Sequence, residues 1–223
     1  MSSPAQLSTV LFDMDGLLVD SEPLWFAAES ETAAWLGMPW TETDQNALLG
    51  SNLPFAADYM LRVSGADVAA SDVVTFLRTA MTRRLSVGGV SWRPGARELL
   101  LTLLDGGVQL GLVTSSVREH VDVVLAALPQ PSFQVTVTAD DVTMLKPHPQ
   151  PYLQALELLS ATSRTTVVLE DSPTGVAAAE AAGCLVVAVP SVAAIEAAPG
   201  RHVRSSLTDV DLQLLQQLVA TRW

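Results

Sequence analysis

The sequence predicts an α/β protein in which a Rossmann-like core, built on a parallel sheet, contains an inserted small α-helical cap domain. Short apolar runs rich in Val and Leu alternate with segments of helical periodicity, a pattern typical of parallel strands buried on both faces. The stretch from about Ser21 to Ser91 breaks this alternation, because it carries helical patterns without a convincing strand. We therefore expect residues 1–20 and 92–223 to form the Rossmann-like core and residues 21–91 to form the cap.

The core elements are predicted to alternate between strands and helices. Five apolar segments are expected to be strands: Thr9–Phe12, Gln109–Val113, Phe133–Val137, Thr166–Leu169 and Leu185–Val189. Five segments with apolar residues at helical spacing are expected to be core helices: Gly95–Leu104, Val117–Leu128, Pro149–Leu159, Pro173–Ala182 and Asp209–Val219. Three further helical patterns fall within the cap: Leu24–Leu36, Leu53–Val63 and Val73–Leu85. Glycine and proline residues between Gly88 and Gly95 mark the return to the core.

The composition excludes several classes of protein. The chain has 223 residues with 12 basic and 24 acidic side chains, a formal net charge of -12, and 49% hydrophobic residues. Such a chain is globular and offers no basic stripe for a nucleic acid. Its longest apolar runs fall well short of the roughly 18 residues that span a bilayer, so no membrane partner is expected. Cys184 is the single cysteine, which excludes an intrachain disulfide, and with no positively charged leader it favours a cytoplasmic protein.

Polar side chains collect where the predicted strands end. They follow the first four strands in chain order: Asp13, Asp15 and Gly16, then Thr114 and Ser115, then Lys146, and finally Glu170 and Asp171. Ligands of open parallel sheets bind beyond the carboxyl ends of the strands, so we expect these residues to converge. Carboxylates without histidine or cysteine suit Mg²⁺, whereas an ammonium, a hydroxyl and backbone N–H groups suit phosphoryl oxygens. The pattern therefore predicts a phosphoryl-transfer site.

Lys146 is the only lysine among the 12 basic residues, and the other 11 are arginines. Lysine presents a compact ammonium on a flexible stem, whereas arginine presents a wide planar fork that enters a tight site differently. Two explanations are open at this point: a site that only lysine can serve, or compositional drift. Ser116, which also follows the second strand, is expected only to cap the next helix.

Four motifs carry a family resemblance. The runs at 13–22 (DMDGLLVDSE), 113–116 (VTSS), 146–149 (KPHP) and 169–172 (LEDS) resemble the four motifs of the haloacid dehalogenase-like (HAD) superfamily, in order and across nearly the whole chain. The helical insertion is similar to the cap of the β-phosphoglucomutase-like and sugar-phosphatase group. Within that group, the run from Asp20 to Trp25 most resembles phosphatases of 2-deoxyglucose 6-phosphate and hexitol phosphates.

The resemblance implies a role for each motif residue. Asp13 would be the nucleophile that forms an aspartyl-phosphate, and Asp15 would be the general acid that then activates water. Mg²⁺ would be held by the Asp13 side chain, the Asp15 carbonyl and the Asp171 side chain, with Glu170 in support. The phosphoryl group would contact Thr114, the Ser115 backbone and Lys146, and a backbone N–H freed by Gly16 would add to this site.

The cap is expected to select the substrate, through Trp25, Ser51 and Asn52. The function implied is Mg²⁺-dependent hydrolysis of a small phosphorylated metabolite, a sugar or polyol phosphate. The alternatives are a β-phosphoglucomutase-like phosphomutase and a non-catalytic binding protein on the same fold. Trp25 replaces the histidine that mutases carry past the hinge, and Asn52 stands where similar sugar phosphatases can carry arginine. A monomer is expected, with the oligomeric state and the cap's mode of sugar recognition left open.

Overall fold

The computed structural model describes residues 5–48, 51–128 and 132–221. Within these ranges a single six-stranded sheet has the order β3-β2-β1-β4-β5-β6, and every adjacent pair is parallel. The strands are β1 (Thr9–Phe12), β2 (Gln109–Val113), β3 (Val135–Val137), β4 (Thr166–Glu170), β5 (Leu185–Ala188) and β6 (Arg201–Val203). The parallel α/β fold class predicted from the sequence is confirmed.

Helices connect the strands in the described ranges. The α-helices are α1 (Glu22–Trp35), α2 (Glu42–Leu48), α3 (Leu53–Ser64), α4 (Ala70–Gly88), α5 (Ala96–Asp105), α6 (Arg118–Ala126), α7 (Gln150–Leu158), α8 (Pro173–Ala181) and α9 (Leu212–Ala220). Short 3₁₀ turns lie at Ala139–Asp141, Ser163–Thr165 and Leu207–Asp209. No helix of the described part of the chain is both long enough and apolar enough to cross a membrane.

The five predicted strands are all present, whereas β6 and α2 were not predicted. Strand β6 has only three half-buried residues, begins with Arg201 and lies at the sheet edge against β5 alone. Helix α2 is seven mostly polar residues of which only Leu48 is buried. Neither segment has the apolar periodicity that identifies an element from sequence, because each packs through few side chains.

The chain divides into two compact units, which we call the core unit and the helical unit. The core unit comprises Met1–Asp20, Ser91–Arg118 and Leu128–Trp223, and the helical unit comprises Ser21–Val90 and Glu119–Ala127. The sequence analysis placed residues 119–127 in the core, whereas the structure groups most of α6 with the helices of the insertion. The reason is packing: Val123 of α6 lies against the buried cluster of the helical unit, which includes Met60, Leu77 and Met81.

The sheet of the core unit positions the functional residues. Strand β1 is buried throughout and pairs with β2 on one side and β4 on the other. Because all three strands run in the same direction, their carboxyl ends lie side by side at one edge. The loops that follow Phe12, Val113 and Glu170 therefore start next to one another.

Candidate active site

Asp13 lies at the centre of this edge, directly after β1. Its backbone N–H donates to Leu169 O of β4 at 3.0 Å, which extends the sheet pairing by one residue and fixes the main chain at the carboxylate. Asp13 is buried, with 6% of its surface exposed. Burial raises the pKa of Asp13 well above its ordinary value, and the Lys146 ammonium acts in the opposite direction.

Lys146 reaches this carboxylate from the loop after β3. Its Nζ donates to Asp13 Oδ1 at 2.5 Å, to Glu170 Oε1 at 2.5 Å and to the Val113 carbonyl at 2.9 Å. The side chain is 5% exposed, so the ammonium is almost wholly removed from bulk water. Although burial alone lowers it, the adjacent Asp13 and Glu170 carboxylates hold the pKa of Lys146 above its ordinary value, and the side chain is charged.

Glu170 is fully buried beneath Lys146 at the end of β4. Its Oε1 accepts from Lys146 Nζ and from the Tyr152 hydroxyl, the latter at 2.6 Å. Its Oε2 accepts from the backbone N–H of Asp171 at 3.1 Å and of Ser172 at 3.3 Å, and from Ser172 Oγ at 3.2 Å. A Cβ on Gly175 would lie 1.8 Å from Glu170 Oε1, so helix α8 can pass here only with glycine at that position.

Asp13, Glu170 and Asp171 form an acidic cluster in which one oxygen of each lies within 4.8 Å of the others. Burial and the Glu170 carboxylate raise the pKa of Asp171 to about 7. Among the described residues, Asp13 Oδ2 and Asp171 Oδ1 receive no hydrogen bond, because Lys146 and Ser191 each donate to the other oxygen. Two crowded carboxylate oxygens that lack donors, on residues that are themselves largely buried, are suitable ligands for a hard divalent cation such as Mg²⁺.

Gly16 and Ser191 flank Asp171. The sequence analysis expected Gly16 to free a backbone N–H for phosphate, which stays a prediction; the N–H of Gly16 itself donates to Val19 O at 2.8 Å. Glycine is required there for two other reasons: its φ is +78°, and a Cβ would lie 2.0 Å from Asp171 Oδ2. Ser191, in the segment after β5, donates its hydroxyl to the same Asp171 Oδ2 at 2.5 Å.

Asp15 is half-buried and is held by hydroxyl groups that follow β2. Ser116 Oγ donates to Asp15 Oδ2 at 2.7 Å, and Thr114 Oγ1 approaches the same oxygen at 3.4 Å. Thr114 Oγ1 also accepts from the Ser116 N–H at 3.0 Å, which links the two residues, and Ser115 lies half-buried between them. The expectation that Ser116 serves only as a helix cap is wrong, since its hydroxyl donates to Asp15. At the start of α6 it is Asp140, and not Ser116, whose side chain accepts from the Arg118 N–H.

The predicted specificity residues lie in the helical unit. Trp25 of α1 is half-buried and meets His120 edge to face, with ring centroids 5.7 Å apart. Asn52 caps helix α3, since its Oδ1 accepts from the Phe55 N–H at 3.0 Å, and Ser51 beside it is exposed. Leu49 and Gly50, in the same loop, lie outside the described residues. A role for these side chains in substrate selection stays a prediction.

Three residues of the site were missed or misjudged in the sequence: Ser116, Tyr152 and Ser191. Ser116 is the last residue of the VTSS motif and could have been found from its position after β2. Tyr152 occupies a buried helical position that reads as ordinary core packing, and Ser191 follows a strand whose end carries no motif. The contacts of these two join residues 18 to 20 positions apart in sequence, so no local pattern indicates them.

The chain is similar to several known proteins. The model of the haloacid dehalogenase-like hydrolase family matches residues 10–189. Hexitol phosphatase B of Escherichia coli (strain K12) is 32% identical over 225 residues, 99% of this chain and 98% of that protein. A phosphorylated carbohydrates phosphatase of Thermotoga maritima is 32% identical over 180 residues, 79% of this chain and 82% of that protein. The solved structure of CbbY from Rhodobacter sphaeroides in complex with phosphate has a TM-score of 0.85 and 27% identity, covering 94% of this chain and 99% of that one.

Proposed function

Since the chain belongs to the haloacid dehalogenase-like hydrolase family, we propose that it is a cytoplasmic, Mg²⁺-dependent phosphatase of small phosphomonoesters such as sugar or polyol phosphates. The observation that carries this proposal is the buried contact between Asp13 and Lys146, beside a carboxylate that hydroxyl groups hold in place. The names of relatives over most of the chain, hexitol phosphatase B and phosphorylated carbohydrates phosphatase, support the substrate class.

In the first half of the reaction, a carboxylate oxygen of Asp13 attacks phosphorus and forms an aspartyl-phosphate. The phosphorus–oxygen bond to the substrate alcohol breaks, and the departing oxygen takes a proton from the Asp15 carboxyl group. Lys146 and Thr114 are the groups of the core unit that would hold the phosphoryl oxygens. A buried ammonium aimed at the reacting group stabilises charge at low cost, because it does not need to reorganise during the reaction.

In the second half of the reaction, Asp15 would act as a general base instead of a general acid. A water molecule gives its proton to the Asp15 carboxylate and attacks the phosphorus of the aspartyl-phosphate, and the bond to Asp13 breaks to release inorganic phosphate. The Ser116 hydrogen bond limits rotation of the Asp15 carboxyl group, which this double use requires.

The acidic cluster fits Mg²⁺, and the residues that would hold the ion are Asp13, Asp171 and the Asp15 carbonyl. Glu170 would support the site without binding the ion directly. Both of its oxygens already accept hydrogen bonds, from Lys146, from Tyr152 and from the segment that leads into α8. When bound, Mg²⁺ would neutralise the charge shared by the carboxylates and the phosphoryl group.

A phosphatase is favoured over a phosphomutase by the cations of the helical unit. A mutase binds a bisphosphate and needs a positive group for the second phosphate. The helical unit has no lysine, and Arg83 and Arg84 both contact Glu31 at 2.6 Å. Arg78 lies 3.8 Å from Glu119, and the Arg62 guanidinium lies 5.3 Å from the centre of the Tyr59 ring. These contacts would compete with a second phosphate for the arginine side chains.

The test is phosphate release by the purified protein from p-nitrophenyl phosphate and from a panel of hexose and polyol phosphates, with and without Mg²⁺. We expect Mg²⁺-dependent release, and none from the Asp13→Asn variant. Conversion of β-glucose 1-phosphate, with a trace of its bisphosphate, into glucose 6-phosphate faster than into free phosphate would favour the mutase. Binding of sugar phosphates without any turnover would favour the non-catalytic protein.

A further inference from the structure

We propose that Tyr152 is a positioning residue of the phosphatase, whose hydroxyl holds Glu170 so that the Lys146 ammonium stays directed at Asp13 and at the phosphoryl group. The inference rests on the proposed function for the last of these contacts. The Tyr152–Glu170–Lys146 arrangement itself lies entirely in the core unit and does not depend on the identity of the substrate.

Tyr152 and Lys146 both donate a hydrogen bond to the same oxygen atom of Glu170. Glu170 Oε1 accepts from the Tyr152 hydroxyl at 2.6 Å and from Lys146 Nζ at 2.5 Å, while the same Nζ donates to Asp13 Oδ1 at 2.5 Å. Tyr152 is fully buried in α7, within the apolar cluster formed with Leu11, Val113 and other residues around the sheet. A tyrosine here must bury its polar hydroxyl, and Glu170 provides the acceptor that makes this possible.

The Tyr152 hydroxyl alters how strongly the Glu170 carboxylate attracts the Lys146 ammonium relative to the Asp13 carboxylate. By donating to Oε1, Tyr152 offsets part of the negative charge that attracts the ammonium towards Glu170. Without that donor, Oε1 would face apolar side chains with Lys146 as its only partner. The ammonium would then be drawn towards Glu170 and away from Asp13, where the chemistry takes place.

The Tyr152→Phe variant isolates this effect. The Lys146 Nζ lies 5.0 Å from the centre of the Tyr152 ring, and phenylalanine keeps the ring while removing only the hydroxyl. We expect kcat to fall about tenfold with KM within about twofold, because the lost interaction acts on the group that stabilises the transition state. If Tyr152 contributed packing alone, Tyr152→Phe would leave kcat unchanged, and that result would contradict the proposal.

The composition of the chain provides a readout that needs no turnover. Lys146 is the only lysine, so protein labelled with ¹⁵N at the lysine side chain gives one Nζ resonance. That resonance should shift in Tyr152→Phe, because the ammonium changes its balance of hydrogen-bond partners. Tyr59 is the only other tyrosine, and its hydroxyl also donates to a carboxylate, Asp44, at 2.9 Å. Tyr59→Phe is therefore the matched control, and it should leave the Lys146 resonance and kcat unchanged.

An unshifted Lys146 resonance in folded Tyr152→Phe, or a shift of equal size in Tyr59→Phe, overturns the proposal. If the wild-type protein turns over no phosphomonoester, the proposed function fails, but the resonance still decides whether Tyr152 positions Lys146. If circular dichroism shows that Tyr152→Phe is unfolded, 3-fluorotyrosine incorporated in the Tyr59→Phe background labels Tyr152 alone. The more acidic phenol donates more strongly, so a shifted Lys146 resonance supports the proposal and an unchanged one overturns it.

Discussion

The ammonium of Lys146 lies 2.5 Å from Asp13 Oδ1, although the two residues are 133 positions apart in sequence. The same nitrogen lies 2.5 Å from Glu170 Oε1 and 2.9 Å from the Val113 carbonyl, so a single cation joins residues at the carboxyl ends of three different strands. Three acceptors around one point suit a compact ammonium better than the wide planar fork of a guanidinium, which favours a structural explanation for the single lysine.

We expect Lys146→Arg to be nearly as damaging as Lys146→Ala. Both variants should reduce kcat/KM by about 10²-fold or more, since both lose a preorganised donor to the reacting group. Steady-state kinetics on the best substrate of the panel provides the measurement. Near-normal activity of the arginine variant would show that the singularity of Lys146 is compositional drift.

We expect Asp13→Asn to abolish turnover and to leave the fold intact. An amide is a poor nucleophile and a weaker Mg²⁺ ligand of nearly the same shape, and Lys146 keeps its bond to Glu170. Because burial raises the pKa of Asp13, the uncharged replacement should melt at no lower temperature than the wild type without Mg²⁺. Residual activity above a few per cent would remove Asp13 from the nucleophilic role, as a rough threshold for loss of a covalent group.

Ser116→Ala should lower kcat about tenfold, because the hydroxyl that donates to Asp15 Oδ2 is lost. Ser115→Ala is the matched control: Ser115 is the preceding residue, and its proposed contact with phosphate is made by the backbone. Stopped-flow kinetics that separates formation from hydrolysis of the aspartyl-phosphate should show both steps slowed in Ser116→Ala. Equal rates in the two alanine variants would show that Ser116 does not position Asp15.

Ser191→Ala should weaken Mg²⁺ binding about tenfold, because Ser191 Oγ orients the Asp171 carboxylate through its 2.5 Å hydrogen bond. Isothermal titration calorimetry with Mg²⁺ measures this without any substrate. The control is Ser205→Ala, since Ser205 also donates to an aspartate, Asp209, at 2.6 Å on the surface. An unchanged Mg²⁺ affinity in Ser191→Ala would contradict the role assigned to Ser191.

Glu29 makes the stability of the helical unit depend on pH. Burial and the nearby Glu22 raise the pKa of Glu29 from 4.5 to about 8, and its Oε2 has no hydrogen-bond partner among the residues that the structure describes. The folded protein holds this proton more tightly than the unfolded chain does. The resulting stability is fully present below about pH 4.5 and is lost as the pH rises to about 8.

We therefore expect Glu29→Gln, which resembles the protonated acid, to be more stable than the wild type at pH 8.5 by about 1–3 kcal/mol. The advantage should shrink at pH 5.5, where wild-type Glu29 is protonated. Denaturant unfolding at the two pH values, with Mg²⁺ present, measures the difference. Glu42→Gln, at an exposed acid of the same unit, should show no such change, and an equal gain at both pH values would contradict the prediction.

Local patterns were sufficient to predict the β/α core and most of the residues that the structure brings together at one edge of the sheet. The runs that became β1, β2 and β4 are apolar because they are buried on both faces, and the polar residues after them meet because parallel strands end at one edge. The motifs therefore predicted that Asp13, Lys146 and Asp171 lie close together, as the structure shows. They did not reveal β6 or α2, whose short, polar segments depend on neighbours for their structure.

Tertiary packing alone assigned the partners of these residues. Tyr152 and Ser191 look like a core aromatic and a loop serine in the sequence, and only the packing of α7 and of the segment after β5 brings their hydroxyls to Glu170 and Asp171. Asn52 likewise has a polar side chain that could bind a ligand, but in the structure its carbonyl oxygen caps α3 by accepting from the Phe55 N–H. Periodicity reports which side of an element is buried, whereas a hydrogen bond depends on the distance between atoms that only the folded chain sets.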